Sequence, residues 1–136
     1  MEVKKVWVNG SFDIVHIGHI RLLEYASTLG EVMVGLDTDS RIKQLKGENR
    51  PFNCLADRID FIRSIKYVTD VLAFSSNEGL INLIADYQPD YMVIGSDYKD
   101  KPIIGAEYIK EIIYFDRVEG KSTTTILNYE KDISNR

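Results

Sequence analysis

The feature of this sequence that most constrains its fold is the alternation of short apolar segments with longer helical patterns. The strand-like segments are 3–8, 32–36, 71–74, 91–94 and 112–115. Between most of them lie segments with apolar residues three or four positions apart, namely 18–29, 55–65 and 80–87. Such alternation is typical of a parallel sheet covered by helices. We therefore predict an α/β fold with a five-stranded parallel sheet and helices on both faces.

Length and charge limit the classes of protein that the chain can represent. A chain of 136 residues fits one domain, which we predict to span 1–131, with 132–136 as a C-terminal tail. The net charge of −4 argues against a nucleic-acid partner, which calls for a basic face. No apolar run approaches the roughly 20 residues that span a bilayer, so no membrane partner is expected.

The expected location is the cytoplasm. The start of the chain leads directly into a strand-like segment, without the pattern of a signal peptide. The single cysteine, Cys54, has no partner for an internal disulfide and no metal-ligand spacing around it, which agrees with a reducing compartment. We interpret Cys54 as structural.

The segment 39–53 is polar, carries four basic residues and contains Pro51 near its end. These properties favour a long connection rather than a core element. Long connections in small domains are often functional, and we expect this one to contribute to a site at one edge of the sheet.

A candidate anion site follows the first strand. Residues 9–19 read Asn-Gly-Ser-Phe-Asp-Ile-Val-His-Ile-Gly-His, and the two histidines of the chain, His16 and His19, fall where the first helix begins. Free N–H groups and the helix dipole favour phosphate at such a position. Gly10 and Gly18 let the backbone approach closely, and both imidazoles can donate to phosphoryl oxygens.

The pattern Gly10-x-Phe12-Asp13-x-x-His16-x-Gly18-His19 resembles the signature of the cytidylyltransferase-like nucleotidyltransferase superfamily. Class I aminoacyl-tRNA synthetases share its second half, but they need a much longer chain and a Lys-Met-Ser-Lys-Ser-like loop that is absent here. The resemblance implies a Rossmann-like fold and transfer of a nucleoside monophosphate to the phosphate of a small molecule, with release of pyrophosphate. It also implies that Ser11, Phe12 and Asp13 contact the nucleotide.

A second motif lies near the end of the chain. Residues 117–124 resemble the Arg-Thr-x-Gly-Ile-Ser-Thr-Thr motif of the same superfamily, with Val118 and Lys121 as departures. The resemblance implies that Arg117 neutralises the leaving pyrophosphate, and it assigns nucleotide binding to Gly120, Ser122, Thr123 and Thr124. A P-loop is excluded because its first glycine would fall at Phe115. A dinucleotide-binding motif is also excluded, since Gly-x-Gly-x-x-Gly does not follow the first strand.

Two further stretches, 45–53 and 88–98, together with 104–106, resemble the adenylyltransferase domain of bacterial heptose-1-phosphate enzymes. This resemblance implies that Lys46 approaches the α-phosphate and that Asp97 lies by the nucleotide. Ile94 and Ser96 stand where those enzymes usually have Lys and Gly, which leaves the acceptor sugar open.

We therefore predict transfer of AMP from ATP to a small phosphorylated sugar that resembles heptose 1-phosphate. Two alternatives stay open: a CTP-dependent cytidylyltransferase acting on glycerol 3-phosphate or another polyol phosphate, and a non-catalytic nucleotide-binding module. The predicted catalytic residues are His16, His19, Lys46 and Arg117.

The expected cofactor is Mg²⁺ on the triphosphate, which Asp13 would contact directly or through water. Arg58 and Lys66 are candidates for binding the acceptor phosphate. A homodimer is implied by the family resemblance.

Overall fold

The computed structural model describes residues 2–116, which form one five-stranded parallel sheet in the order β3-β2-β1-β4-β5. The strands are β1 (Lys5–Gly10), β2 (Glu31–Asp37), β3 (Asp70–Phe74), β4 (Tyr91–Gly95) and β5 (Glu111–Phe115). The helices are α1 (Ile17–Leu29), α2 (Asp39–Lys46), α3 (Leu55–Arg63) and α4 (Asn77–Tyr87), and 3₁₀ turns cover Ser96–Tyr98 and Ala106–Tyr108. The predicted five-stranded parallel sheet is confirmed. The predicted tail at 132–136 lies outside the described residues.

Hydrophobic cores lie on both faces of the sheet. Val6 and Val8 of β1 point to one face, where they are buried in a cluster with Leu23 of α1 and Ile62 of α3. Trp7 points to the opposite face and belongs to a second cluster that contains Leu80 and Ile84 of α4. Alternation of side chains along β1 therefore covers the sheet from two sides, as predicted.

The sheet opens between β1, its central strand, and β4. The pairing of β1 with β4 covers only Val6 with Tyr91 and Trp7 with Met92, so both strands continue toward their carboxyl ends without partnering each other. The order of the strands reverses at this point, because β2 and β3 lie to one side of β1 and β4 and β5 to the other. Ligands of open α/β sheets bind in such a crevice.

The prediction that 39–53 is a connection throughout is wrong for its first half. Residues Asp39–Lys46 form α2, which begins at the N-cap Thr38, whose side chain accepts a hydrogen bond from the N–H of Arg41. Ile42 is the buried residue of this helix. One buried apolar residue among charged neighbours gives too weak a periodicity to identify a helix, although Thr38 is a good capping residue.

Cys54 lies at the start of α3, where its side chain is exposed and makes no capping hydrogen bond. The structural role predicted for Cys54 is therefore not seen. Within residues 2–116, no helix combines the length and the apolar character needed to cross a membrane.

Candidate active site

A cleft of about 390 Å³ lies at the carboxyl ends of β1 and β4. Gly10 lines it from the end of β1, and Ser11 and Phe12 line it from the loop that follows. His19 lines it from the first turn of α1, and Lys46 lines it from the end of α2. These five residues were predicted from the sequence to lie together around a nucleotide, and the structure brings them together.

Hydrogen bonds made by His16 and His19 fix the first turn of α1 and the position of the His19 ring. The side chain of His16 caps the helix, because its Nδ1 accepts a hydrogen bond from the N–H of Gly18 at 3.0 Å. In return, Nδ1 of His19 accepts from the backbone N–H of His16 at 3.1 Å, and the rings lie 3.9 Å apart. The N–H of Gly18 is therefore engaged within the protein, so the nucleotide contact predicted for Gly18 does not come from a free N–H.

His19 is a neutral donor in this environment. Burial, and then the neighbouring charges of His16 and Lys46, lower its pKa to about 4. Since its Nδ1 accepts a hydrogen bond, the proton of the neutral ring lies on Nε2. His19 can therefore donate a hydrogen bond from Nε2 at physiological pH without carrying a charge of its own.

Phe12 fixes the position of His19. Its backbone has a φ of 46°, which is uncommon for a residue other than glycine. The side chain is buried, and its ring centroid lies 4.9 Å from that of His19. Such backbone strain persists where surrounding packing enforces it, and it is concentrated at functional sites.

Lys46 supplies a positive charge to the cleft from the end of α2. Its Nζ lies 3.2 Å from the hydroxyl oxygen of Ser11 in the loop after β1. Desolvation, followed by the nearby charge of Arg50, lowers the pKa of Lys46. A cation already held among other cations favours an anionic ligand, which would relieve their mutual repulsion.

Asp13 does not face the cleft, and the predicted contact with Mg²⁺ or nucleotide is wrong for this geometry. The residue is fully buried, and its carboxylate accepts hydrogen bonds from the N–H groups of Phe52 and Asn53, each at 2.8 Å, and from Nε of Arg50 at 3.0 Å. Burial alone would raise its pKa, but these hydrogen bonds outweigh that effect and lower it. Asp13 anchors the segment that connects α2 to α3.

Arg58 is fully buried, which contradicts its predicted role in binding the acceptor phosphate. Its guanidinium donates to the carbonyls of Ser11, Asp37 and Asn53 and to the carboxylate of Asp39, over 2.7–3.0 Å. Two of these carbonyls lie in the loop after β1 and in the segment between α2 and α3, and the third ends β2. Arg58 is thus a structural clamp behind the cleft.

Lys66 lies at the wrong edge of the sheet for a phosphate-binding role. It follows the last turn of α3 and precedes β3, where the N–H of Thr69 donates to the carbonyl of Val32 at the beginning of β2. This is the amino edge of the parallel strands, whereas the cleft lies at the carboxyl edge. The prediction for Lys66 is therefore wrong.

Asp97 lies in the turn after β4, between Gly95 and Tyr98, which line the cleft. It is exposed, and its Oδ1 folds back over Gly95, where a Cβ atom at position 95 would lie only 2.6 Å from that oxygen. Glycine is thus required at 95 for this position of the carboxylate. The place of Asp97 agrees with a contact to the nucleotide, which stays a prediction.

Three polar residues that line the cleft were not among the site residues predicted from the sequence: Asn9, Asp37 and Tyr98. Asn9 and Asp37 come directly after predicted strands, so they fall at the carboxyl edge, and this topological signal could have identified them. The predicted site residues Arg117, Gly120, Ser122, Thr123 and Thr124 lie outside the described residues.

Solved structures show the class of fold to which this domain belongs. The lipopolysaccharide core biosynthesis protein from Thermoplasma volcanium is similar with a TM-score of 0.71 and 24% identity, over 87% of this chain and 100% of that chain. A pantothenate synthetase from Thermus thermophilus is similar with a TM-score of 0.60 and 14% identity, over 94% and 62%. At such identities the comparison shows a shared α/β fold.

The sequence identifies the family within that class. The family model for cytidylyltransferase-like proteins matches residues 7–134, and the chain belongs to that family. Its relatives include the bifunctional protein HldE of Campylobacter fetus subsp. fetus, 43% identical over 90% of this chain, and that of Helicobacter hepaticus, 42% identical over 91%. The chain spans about a quarter of the length of these curated relatives, 27% and 26% respectively.

Proposed function

We propose that this domain transfers AMP from ATP to the phosphate of a small sugar phosphate resembling heptose 1-phosphate and releases pyrophosphate. The observation that carries the proposal is the convergence of His19 and Lys46 on one cleft at the beginning of α1. The resemblance to heptose-1-phosphate adenylyltransferase domains and the similarity to HldE proteins support the choice of substrates.

The reaction requires charge neutralisation and alignment rather than a protein nucleophile. An oxygen of the acceptor phosphate attacks the α-phosphorus, a new P–O bond forms, and the bond to the bridging oxygen of pyrophosphate breaks. Lys46 offsets negative charge on the phosphates, and Nε2 of His19 donates to a phosphoryl oxygen. Donors fixed before the reaction stabilise the charge that develops in the transition state.

We infer separate roles for the two histidines from the hydrogen bonds at the start of α1. His16 uses its side chain to fix the first turn, and its backbone N–H fixes the ring of His19. We infer that His16 acts mainly by positioning His19, while its own ring contributes to the anion site at the helix N-terminus.

Magnesium would enter with the triphosphate. Among residues 2–116, no group of three His, Cys, Asp or Glu side chains converges as a metal site, and Mg²⁺ in nucleotide sites is held largely by phosphates and water. Asp37 is the carboxylate that lines the cleft, and it would contact the ion through water. Bound Mg²⁺ supplies neutralisation of the phosphate charge.

The test is a pyrophosphate-release assay with each of the four nucleoside triphosphates against sugar 1-phosphates and polyol phosphates. We expect release from ATP with a heptose or hexose 1-phosphate. Release only from CTP with glycerol 3-phosphate would replace the adenylyl assignment by the cytidylyl alternative. Tight nucleotide binding without release from any pair would favour a non-catalytic module.

Calorimetric titration with ATP and CTP in the presence of Mg²⁺ separates base recognition from turnover. Hydrogen bonds to the base edge leave buried groups unpaired when the wrong base binds. We therefore expect a clear preference for ATP, and tighter binding of CTP would contradict it.

We also infer that the domain acts as a homodimer in the cytoplasm, on the basis of the family resemblance. Exposed apolar side chains such as Phe61 and Ile17 could be buried when two copies of the domain associate. Sedimentation that shows a monomer at micromolar concentration would contradict the dimer.

A further inference from the structure

Arg50 lies in the segment that connects α2 to α3, and it was not among the site residues predicted from the sequence. Its Nε donates to Oδ2 of Asp13 at 3.0 Å, and the pair is largely shielded from solvent, with side-chain exposures of 18% for Arg50 and 0% for Asp13. Arg50 is not among the described residues that line the cleft. Its charge is therefore directed to a buried carboxylate.

The turn after α2 holds Arg50 and Lys46 against the loop that follows β1. Gly47 ends the helix with a φ of 103°, in the left-handed region that favours glycine. The backbone N–H of Arg50 then donates to the carbonyl of Gly47 at 3.2 Å. On the other side of the turn, Nζ of Lys46 lies 3.2 Å from the hydroxyl oxygen of Ser11. The two cations thus contact neighbouring residues of one loop, Lys46 at Ser11 and Arg50 at Asp13.

Lys46 is surrounded by ionisable side chains from several elements. Those that interact electrostatically with it are Asp13, His19, Asp37, Arg50 and Arg58. Desolvation and then the charge of Arg50 lower the pKa of Lys46, while the two carboxylates act in the opposite direction. Each of these carboxylates has an arginine partner, Arg50 for Asp13 and Arg41 for Asp37. Within residues 2–116, Lys46 itself forms no ion pair, and its Nζ binds the neutral hydroxyl of Ser11.

Asp13 requires a cation to compensate its buried charge. Burial favours the protonated form, but hydrogen bonds from the N–H groups of Asn53 and Phe52 and from Arg50 outweigh that effect and lower the pKa of Asp13. The carboxylate is therefore ionised at neutral pH. Removing one partner of a buried ion pair leaves an uncompensated charge, which is strongly unfavourable. Without Arg50, Asp13 would attract another cation from its surroundings.

We propose that Arg50 is a positioning residue: it occupies the buried carboxylate of Asp13, so that Lys46 does not bind there and its ammonium group stays in the cleft. Lys46 is the alternative partner, because it interacts electrostatically with Asp13 and already contacts the same loop at Ser11. This inference rests on the proposed function, because it takes Lys46 as the cation that meets the phosphates.

The chemistry of the two side chains suits these positions. The guanidinium of Arg50 is weakly hydrated and forms buried ion pairs readily, whereas the ammonium group of Lys46 is strongly hydrated and sits on a flexible stem. A weakly hydrated cation loses less on burial beside Asp13. A mobile, hydrated cation suits a cleft in which an anionic ligand binds and leaves.

A first test measures binding of ATP with Mg²⁺ by calorimetry to wild type, Arg50→Gln and Arg50→Lys. In Arg50→Gln, Lys46 should move to Asp13, and the affinity should fall at least about tenfold, as expected for the loss of one charge-assisted hydrogen bond. Arg50→Lys supplies another cation to Asp13 and should retain most of the affinity. Unchanged binding in Arg50→Gln, or an equal loss in Arg50→Lys, would overturn the proposal.

Arg63→Gln is the matched control for the loss of one arginine charge. Arg63 forms an exposed ion pair with Asp70, away from the cleft. We expect its ATP affinity to equal that of wild type. A loss as large as that of Arg50→Gln would show a general effect of net charge and would overturn the specific role of Arg50.

A second test needs no nucleotide. The free energy of unfolding in urea is measured for Arg50→Gln, for Lys46→Met and for the double variant. If Lys46 takes the place of Arg50 beside Asp13, each single variant keeps one cation for the buried carboxylate, and the double variant keeps none. We therefore expect the double variant to lose more stability than the sum of the two single losses.

Additive losses of stability would overturn the proposal, because they would show that Lys46 does not replace Arg50. Failure of Arg50→Gln to fold would overturn it for the same reason. This coupling is measured without ligand, so it is distinguishable from a failure of the proposed function, which would show as absence of pyrophosphate release from every substrate pair.

Discussion

The backbone N–H of His16 donates to Nδ1 of His19 across 3.1 Å, so the neutral ring of His19 carries its proton on Nε2. The side chain of His16, in turn, accepts from the N–H of Gly18 and caps α1. The two histidines of one motif therefore have different functions, since His16 holds the helix and His19 lines the cleft. Substitutions can separate these functions.

His19→Asn should lower kcat by about two orders of magnitude while the free energy of unfolding at pH 8 changes by less than about 1 kcal/mol. The carboxamide oxygen can accept the hydrogen bond from His16 in place of Nδ1, but the variant lacks the Nε2 donor, and removing one such donor costs about 3 kcal/mol in the transition state. Steady-state kinetics and urea unfolding check both quantities. Equal losses of activity and stability would indicate a structural role.

His16→Ala should destabilise the domain by about 1 kcal/mol, because the N-cap of α1 is lost. His16→Asn should retain most of the stability, since Asn is a good N-cap. Urea unfolding of the two variants provides the comparison. We expect lower turnover in both, and a fully stable His16→Ala protein would contradict the capping role.

Stability should fall as the pH is lowered from 6.5 toward 4. The folded state binds a proton on His19 only near pH 4, whereas an unfolded histidine binds it near pH 6.5. Between these values the unfolded state binds more protons, so acid favours unfolding. The loss reaches at most about 3 kcal/mol, because one pKa unit corresponds to about 1.4 kcal/mol.

The measurement is the free energy of unfolding in urea at several pH values for wild type and for His19→Asn. The acid dependence that comes from Asp13, whose pKa is also lowered, is common to both proteins and cancels in the difference. The variant should show a flatter profile between pH 6.5 and 4. Parallel profiles would contradict a lowered pKa for His19.

Arg58→Met should destabilise the domain by about 3 kcal/mol or more. The substitution removes the donor that binds the backbone carbonyls of Ser11, Asp37 and Asn53, and each buried unsatisfied group costs about 1–3 kcal/mol. Arg63→Met is the matched control, because its ion pair with Asp70 is exposed and such pairs contribute at most about 1 kcal/mol. Similar unfolding midpoints for the two variants would contradict a stabilising role of the hydrogen bonds made by Arg58.

The sequence was sufficient to predict those helices, strands and turns that have a strong apolar periodicity or a distinctive motif. The five strands and three helices were predicted from apolar spacing, and the place of His16 and His19 followed from a turn between β1 and α1. Helix α2 was missed because Ile42 is its one buried residue. Local patterns identify an element only when it buries a continuous face.

The roles of charged residues were less accessible from the sequence. Arg58 and Asp13 look like solvated charges or ligand contacts, but both are fully buried and bind groups distant in sequence. Asp13 contacts Asn53, and Arg58 contacts Ser11. No local pattern reports such partners, because the loops meet only after the strands have paired.

The sequence by itself determined the fold class, the family and the position of His16 and His19 at the start of α1, since these depend on periodicity and on a short contiguous motif. Only the tertiary structure decided which charges face the cleft: Lys46 and Asp37 do, whereas Arg58 is buried behind it and Lys66 lies at the opposite edge. The physical reason is that exposure and electrostatic environment depend on contacts between segments brought together by the parallel sheet, and these contacts are not encoded in local spacing.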